Sequence, residues 1–205
     1  MYQKFFKRLI DIILSACGIL VLAIPMALIA LAVKLDSKGP VLFWQKRVAI
    51  NKGTYMMPKF RSMYTTAPAN MPTHMLTSPD QWITPVGKVL RKTSLDELPQ
   101  LFSIFKGDMS IVGPRPALWN QYDLIAERDK YGANDIRPGL TGWAQINGRD
   151  ELPIDVKAKF DGEYVEKLSF AMDCKCFFGT IVKVVKRDGV VEGGTGSLND
   201  NKDTK

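Results

Sequence analysis

The sequence has 205 residues with three cysteines and one histidine, and 28 Lys and Arg residues against 21 Asp and Glu residues give a net charge of +7. This length suits one compact domain with an appendage, and three cysteines with one distant histidine exclude a disulfide framework and argue against a zinc site. The cysteines are therefore expected to be reduced packing residues, and the basic balance favours anionic partners such as phosphates, acidic lipid headgroups or nucleic acid.

The first predicted element is a long apolar segment. From Ile12 to Val33 there are 22 residues without a charge, which as a helix measure roughly 33 Å and exceed the length of about 18 residues that indicates a membrane segment. A cleaved signal peptide is disfavoured because the apolar core is too long. Lys and Arg occur on both flanks, so the charges give no clear orientation across a membrane.

Pro25 divides this segment into two arms. A proline removes a helical N–H and clashes with the preceding turn. The arms, residues 9–24 and 25–35, would be about 24 Å and 16 Å long, and both fall short of a bilayer core of roughly 30 Å. This pattern predicts a re-entrant helix-break-helix, with a kinked spanning helix as the alternative.

Asp11 lies at the edge of the apolar segment, where a carboxylate is costly unless it is paired. It is expected to be neutralised by Lys7 and Arg8 on the same helical face.

The rest of the chain predicts a small domain of helices and a few short strands. Apolar runs followed by turns predict two strands, and helical periodicity predicts four helices. A segment rich in Pro, Thr and Ser predicts a loop, and a polar C-terminus predicts disorder. The predicted ranges are strands 41–44 and 55–57, helices 86–92, 95–106, 117–131 and 153–187, the loop 64–80 and the tail 190–205.

Two adjacent carboxylates, Asp96 and Glu97, are the candidate catalytic residues. Ser94 and Glu97 have the spacing of a helix capping box, which is the structural alternative. Pro99 weakens that alternative, because its ring disturbs a standard first turn. A carboxylate can attack a phosphoryl group, and two carboxylates beside a pyrophosphate require a divalent cation such as Mg²⁺. Asp96 and Glu97 are therefore also the expected metal ligands.

Several cations are candidates for phosphate binding. Pro114 and Pro116 hold Arg115 in a stiff extended segment, and Arg91 lies one turn before the acidic pair. Lys59 and Arg61 would share one face of a strand, and this pattern is equally compatible with a solvent-exposed face and with an anion site.

Trp143 lies in a turn-rich segment and could stack on a base or a sugar, or be a buried anchor.

Together these segments resemble the bacterial sugar transferases, the monotopic phosphoglycosyl transferases. The similarity runs in order over nearly the whole chain, to about residue 188. The matching segments are FKRLID with the apolar run after it, PKFRSM (58–63), GKVLRKTSLDELPQLFSIFKGDMSIVGPRPAL (87–118) and IRPGLTGWAQINGR (136–149).

The resemblance implies a small α/β-type catalytic domain on an N-terminal re-entrant membrane helix. The expected divisions are residues 1–38 for the membrane hairpin, 39–188 for the catalytic domain and 189–205 for the tail. Both termini and the catalytic domain are expected to face the cytoplasm at the bacterial inner membrane.

The resemblance also implies a ping-pong transfer of a sugar-1-phosphate from a UDP-sugar, expected to carry an N-acetylated amino sugar, to undecaprenyl phosphate. Asp96 aligns with the nucleophile of the family, and Glu97 completes the pair with Mg²⁺. Arg91 and Arg115 would hold phosphates, with Lys59, Arg61 and Arg137 as weaker candidates.

The expected partners are the UDP-sugar, undecaprenyl phosphate and membrane lipids, with a homodimer as an option and no nucleic acid. The alternative function is a non-enzymatic basic scaffold that binds anionic lipids. Nucleic-acid binding lacks a recognised motif.

Overall fold

The computed structural model describes residues 2–67, 79–148 and 152–186. The described chain is mostly helical with a few short strands, which confirms the predicted composition of the fold. The helices and strands are α1 (Lys7–Asp36), β1 (Leu42–Val48), β2 (Thr54–Phe60), α2 (Pro85–Thr93), α3 (Gln100–Lys106), β3 (Ser110–Val112), α4 (Tyr122–Asp129), β4 (Gly139–Thr141), α5 (Trp143–Ile146), α6 (Ile154–Glu166) and α7 (Phe170–Lys186).

The strands form two small sheets. The strands β1 and β2 are antiparallel, with Leu42 opposite Phe60 and Val48 opposite Thr54, while β3 and β4 are parallel. Both strands predicted from apolar runs are therefore present, and each is longer than predicted. The main core joins β2, α3, β3, α6 and α7, and its fully buried members include Ile104, Met109 and Cys176.

The N-terminal helix α1 is a single element with Pro25 inside it, so the predicted division into two helices is not observed. A proline removes only its own N–H from the helix. Leu22 and Met26, on either side of Pro25, belong with Val33 to one apolar cluster that includes Phe60 of β2. Residues on both sides of the proline thus pack in the same apolar cluster. Among the described helices, α1 is long and apolar enough to cross a membrane.

Both ends of α1 are attached to the same domain. Near its start, Asp11 Oδ1 accepts hydrogen bonds from Ile111 N–H at 2.9 Å and Ser110 Oγ at 3.1 Å. Near its end, the carboxylate of Asp36 accepts a bond from Val86 N–H at 3.3 Å. The expected neutralisation of Asp11 is confirmed in part: the charge of Lys7 acts on Asp11, but in the described residues the hydrogen bonds of its carboxylate come from β3 and not from Lys7 or Arg8.

Those two cations bond elsewhere. Lys7 pairs with Asp173 of α7 at 2.6 Å. Arg8 donates to the carbonyl oxygens of Ile104 and Phe105 at the end of α3. Thus the polar residues at the start of the apolar helix serve tertiary contacts with three other elements.

The helix predicted over residues 153–187 is two helices, α6 and α7, separated at Lys167–Ser169. Ser169 Oγ accepts a hydrogen bond from Met172 N–H at 3.3 Å, as an N-terminal capping residue does. The apolar periodicity continues through this break, which is why the sequence suggested one helix. Tyr164, Met172 and Cys176 face the core as predicted.

Two other helices are shorter than predicted. The segment 95–106 begins with a 3₁₀ turn, Leu95–Glu97, before α3, and the segment 117–131 contains only α4. The helix 86–92 is confirmed by α2. The predicted tail 190–205 and residues 68–78 of the predicted loop 64–80 lie outside the described residues.

Arg61 fastens the end of α1 to the domain. Its guanidinium group is buried and donates to Pro40 O at 2.6 Å and to Ser37 O at 2.8 Å, among other bonds at the same helix end. We expect Arg61→Lys to lower the free energy of unfolding by about 2 kcal/mol, because an ammonium group cannot reproduce the planar fork.

Thermal unfolding in detergent checks this prediction, with Lys38→Ala as the exposed control. A variant of unchanged stability would contradict this structural role of Arg61.

Candidate active site

The acidic pair lies in a tight connection between α2 and α3. Ser94 ends α2 in the left-handed conformation, with φ of 57°, and its N–H bonds back to the carbonyl oxygens of Leu90 and Arg91. The 3₁₀ turn Leu95–Glu97 follows, and Pro99 precedes α3. Ser94 makes no side-chain capping bond, so the capping-box alternative does not describe this segment.

Glu97 is held by two cations on one oxygen. Its Oε1 accepts hydrogen bonds from Lys59 Nζ of β2 and from one Arg115 Nη, both at 2.8 Å. Burial would raise the pKa of Glu97, but the charges and hydrogen bonds of Arg115 and Lys59 hold the pKa well below its ordinary value. Glu97 is therefore ionised throughout the neutral range and fixed in orientation.

Asp96 differs from its neighbour in having no such partner. Its side chain is buried, with 8% of the residue exposed, and within the described residues no side-chain hydrogen bond satisfies its carboxylate. Burial raises the pKa of Asp96, and the charge of Glu97 adds to this, although Lys59, Arg91 and Arg115 act in the opposite direction. A buried carboxyl group with a perturbed pKa and no side-chain hydrogen bond in the described residues is a candidate for a functional role, because its oxygens remain available to a ligand.

Arg91 leaves a donor unused beside the pair. Its Nε is buried and has no hydrogen-bond partner within the described residues, and its charge acts on Asp96. A buried N–H without an acceptor costs free energy, which an anionic ligand would recover. Arg91, Lys59 and Arg115 thus surround the acidic pair with three positive charges.

The structure does not bring Arg61 and Arg137 to this cluster. Arg61 bonds to the end of α1, and Arg137 Nε donates to Gly107 O at 2.9 Å, at the turn between α3 and β3. The expectation that Lys59 and Arg61 share one face is corrected, because β2 ends at Phe60 and the two side chains reach different elements. Direct substrate binding by Arg61 and Arg137 stays a prediction that their positions do not favour.

Tyr55 is a neighbour that sequence reasoning missed. Its hydroxyl is buried without a partner in the described part of the chain, and burial raises its pKa, with Arg47, Asp108, Arg115 and Glu97 acting as nearby charges. The apolar strand pattern does not indicate that this hydroxyl lies near the charges of the acidic pair.

Trp143 donates from Nε1 to Glu163, and the ammonium group of Lys175 lies over its ring, as expected of a partly buried anchor.

The donor set fits Mg²⁺. Asp96 is without side-chain hydrogen bonds and Glu97 Oε2 accepts none in the described residues, so oxygens of both carboxylates remain available. The described chain contains no group of three or more Asp, Glu, His or Cys that could hold a metal ion. Two carboxylates suffice for Mg²⁺, because this ion keeps several waters and takes substrate phosphates as further ligands.

The fold and the site together indicate a class of protein in which a domain is bonded to a membrane-length helix and carries an acidic pair among cations suited to phosphate groups. The chain belongs to the bacterial sugar transferase family, whose model matches residues 2–187.

Individual relatives carry more specific names. The chain is 40% identical over 189 residues to a UDP-glucose:undecaprenyl-phosphate glucose-1-phosphate transferase of Escherichia coli K12, which covers 88% of this chain and 40% of the relative. It is 39% identical to an undecaprenyl-phosphate glucose phosphotransferase of Komagataeibacter xylinus, over 87% of this chain and 36% of the relative.

A third relative has nearly the same length. The uncharacterized sugar transferase EpsL of Bacillus subtilis is 36% identical, over 90% of this chain and 89% of its own. The chain therefore spans about two-fifths of the two glucose transferases and almost all of EpsL.

The acidic pair predicts opposite effects on stability at neutral pH. The raised pKa of Asp96 means that folding disfavours its ionised form, so Asp96→Asn should leave the melting temperature unchanged or raise it. The lowered pKa of Glu97 means that folding favours its ionised form, so Glu97→Gln should cost about 2 kcal/mol.

Melting curves between pH 3 and 8 check both signs. The stability contributed by Glu97 is present above the pKa of an unfolded glutamate and is lost as the pH falls towards its lower folded pKa. Equal destabilisation by both substitutions would contradict the assigned asymmetry.

Proposed function

We propose that the protein transfers a sugar-1-phosphate from a UDP-sugar to undecaprenyl phosphate and releases UMP, as the first membrane step of surface-glycan assembly. The observation that carries the proposal is the contrast within the acidic pair: Glu97 is fixed by two cations, whereas no side-chain hydrogen bond reaches Asp96 from the part of the chain that the structure describes. The names of the relatives support the reaction class.

In the first step, the carboxylate of Asp96 attacks the β-phosphorus of the UDP-sugar. The bond from this phosphorus to the bridging oxygen breaks, and UMP leaves with the electron pair. The sugar phosphate then remains on Asp96 as an acyl phosphate. In the second step, a phosphate oxygen of undecaprenyl phosphate attacks the same phosphorus, releasing Asp96 and forming the polyprenyl diphosphosugar.

The surrounding residues fit these two steps. Arg91 and Arg115 carry guanidinium groups that bind phosphate oxygens in a bidentate manner, and Lys59 adds charge while holding Glu97. Mg²⁺ on Asp96 and Glu97 would neutralise charge on the pyrophosphate. The stiff Gly113–Pro116 segment keeps the Arg115 fork in place at low entropic cost.

The sugar is proposed only at the level of class. Two relatives are named for glucose, and the expectation of an N-acetylated amino sugar rests on the family resemblance. Measuring UMP release from UDP-glucose, UDP-galactose and UDP-N-acetyl amino sugars identifies which sugar the protein transfers.

We also propose that α1 enters and leaves the membrane on the cytoplasmic face, bent at Pro25. Both ends of α1 bond to the same domain, through Asp11 and Asp36, so a straight crossing would separate contacts that the fold keeps together. The middle of the helix carries Leu20, Val21 and Ile24, which are 77%, 76% and 74% exposed. Exposed apolar side chains of this kind favour insertion into lipid.

The enzymatic proposal predicts that Asp96→Asn abolishes UMP release, with a loss of about 10³-fold or more, because an amide oxygen is a poor nucleophile. Removal of Mg²⁺ with EDTA should have a similar effect that added Mg²⁺ reverses. Release is measured with purified full-length protein in detergent, with the exposed Asp155→Asn as the matched control.

Unchanged UMP release by Asp96→Asn would contradict the mechanism. If the wild-type protein binds anionic vesicles but releases no UMP from any UDP-sugar, the basic-scaffold alternative is favoured instead.

The membrane proposal predicts that tags placed before Tyr2 and after Lys186 are both accessible only from the cytoplasmic side. Protease protection in spheroplasts and inverted vesicles measures this. Opposite accessibility of the two tags would establish a spanning helix.

A further inference from the structure

The strand β3 leads directly into the segment that carries Arg115, and within residues 2–67, 79–148 and 152–186 it has a strand partner on one side only. Ser110 N–H donates to Pro138 O at 2.9 Å, and Gly113 N–H donates to Thr141 O at 2.8 Å, both towards β4. Ile111 N–H, between them, points the other way. A strand of three residues with one neighbour has few bonds to fix its position.

The membrane helix supplies the missing partner. Asp11 Oδ1 accepts the Ile111 N–H at 2.9 Å and the Ser110 hydroxyl at 3.1 Å. Asp11 is 3% exposed and Ser110 is 1% exposed, so water does not compete for these bonds. One carboxylate oxygen therefore accepts the hydrogen bond from Ile111 N–H that a carbonyl oxygen of a neighbouring strand would otherwise accept.

A second contact holds the other end of β3. The Tyr164 hydroxyl directs its single proton at two acceptors, Val112 O at 3.1 Å and Asp173 Oδ1 at 2.6 Å. The other oxygen of Asp173 pairs with Lys7 Nζ at 2.6 Å. Burial raises the pKa of Tyr164, so the phenol keeps its proton. The first turns of α1 thus contact both ends of β3, directly through Asp11 and indirectly through Lys7.

We propose that Asp11 and Tyr164 are positioning residues for Arg115. The contacts between the first turns of α1 and the domain would then set the geometry of the active site. The inference rests on the proposed function. Between Val112 and Arg115 lie only Gly113 and Pro114, and Arg115 donates to Glu97 at 2.8 Å. A shift of β3 would therefore move the Arg115 fork and the Glu97 oxygen together.

The matched variants are Asp11→Ala, Asp11→Asn, Tyr164→Phe and Ser15→Ala. Asp11→Asn retains an oxygen acceptor for Ile111 N–H. Ser15 is also buried in α1, but its hydroxyl bonds to Asp11 O and Ile12 O within the helix, so Ser15→Ala removes a buried hydrogen bond that does not reach β3.

With the full-length protein in detergent, we expect Asp11→Ala and Tyr164→Phe to lower kcat/KM for UMP release by roughly 10- to 100-fold, the scale of a displacement of about 1 Å. Asp11→Asn should recover activity to within about threefold, and Ser15→Ala should match the wild type on the same scale. Flotation with vesicles should be the same for all four variants.

The decisive comparison repeats Asp11→Ala and Tyr164→Phe in an Arg115→Lys background. If both residues act through the guanidinium fork, their effects shrink to about threefold or less there, because interacting sites are not additive. If they act only on overall stability, the full loss persists in that background, and the proposal is overturned.

Two further results distinguish a failure of this inference from a failure of the proposed function. Full activity of folded Asp11→Ala and Tyr164→Phe also overturns the inference and leaves the proposed function intact. Absence of UMP release by the wild-type protein rejects the proposed function itself. Tyr164→Phe keeps the test available if Asp11→Ala fails to fold, because it removes one hydroxyl and preserves the ring.

Discussion

The site depends on one shared hydrogen-bond acceptor. Lys59 and Arg115 both donate to Oε1 of Glu97, which joins β2, the turn after α2 and the segment after β3 at a single atom. Both cations bond to Glu97, and among the described residues neither donates a hydrogen bond to the adjacent Asp96, although their charges act on it. Burial then raises the pKa of one carboxyl group, while ion pairing lowers that of the other. Two identical functional groups are thereby given different roles.

The helix α1 combines two features, and its apolar composition predicts only the first of them. Its exposed middle is suited to lipid, and its polar ends bond to the domain, through Asp11 on β3 and through Asp36 on α2. A carboxylate near an apolar membrane segment is costly unless it is satisfied. Here the bonds to β3 satisfy it and also fix the strand that precedes Arg115. The proposed membrane helix and the proposed site geometry are therefore linked at Asp11.

The sequence predicted what depends on local periodicity or on covalent stiffness. Both strands of the hairpin, the helix α2 and the disturbed turn before Pro99 follow from such patterns. It failed where tertiary contacts decide. The apolar pattern runs through the break that Ser169 caps, and it gives no sign that Asp11 bonds to β3.

The candidate site shows the same division. Asp96 and Glu97 were recognised as a pair, but only the structure separates them, because Lys59 lies 38 positions and Arg115 lies 18 positions from Glu97 in sequence. Likewise, a basic residue just after a strand gives no sign of whether it binds substrate or, as with Arg61, the end of a helix.

The central claim is that Asp96, and not Glu97, takes the phosphosugar. The most direct test is to incubate the protein with a UDP-sugar labelled in the β-phosphate without lipid acceptor, quench in acid, digest and locate the label by mass spectrometry. The account predicts one acid-stable, base-labile phosphosugar on Asp96. A label on Glu97, or UMP release without any labelled peptide, would contradict it.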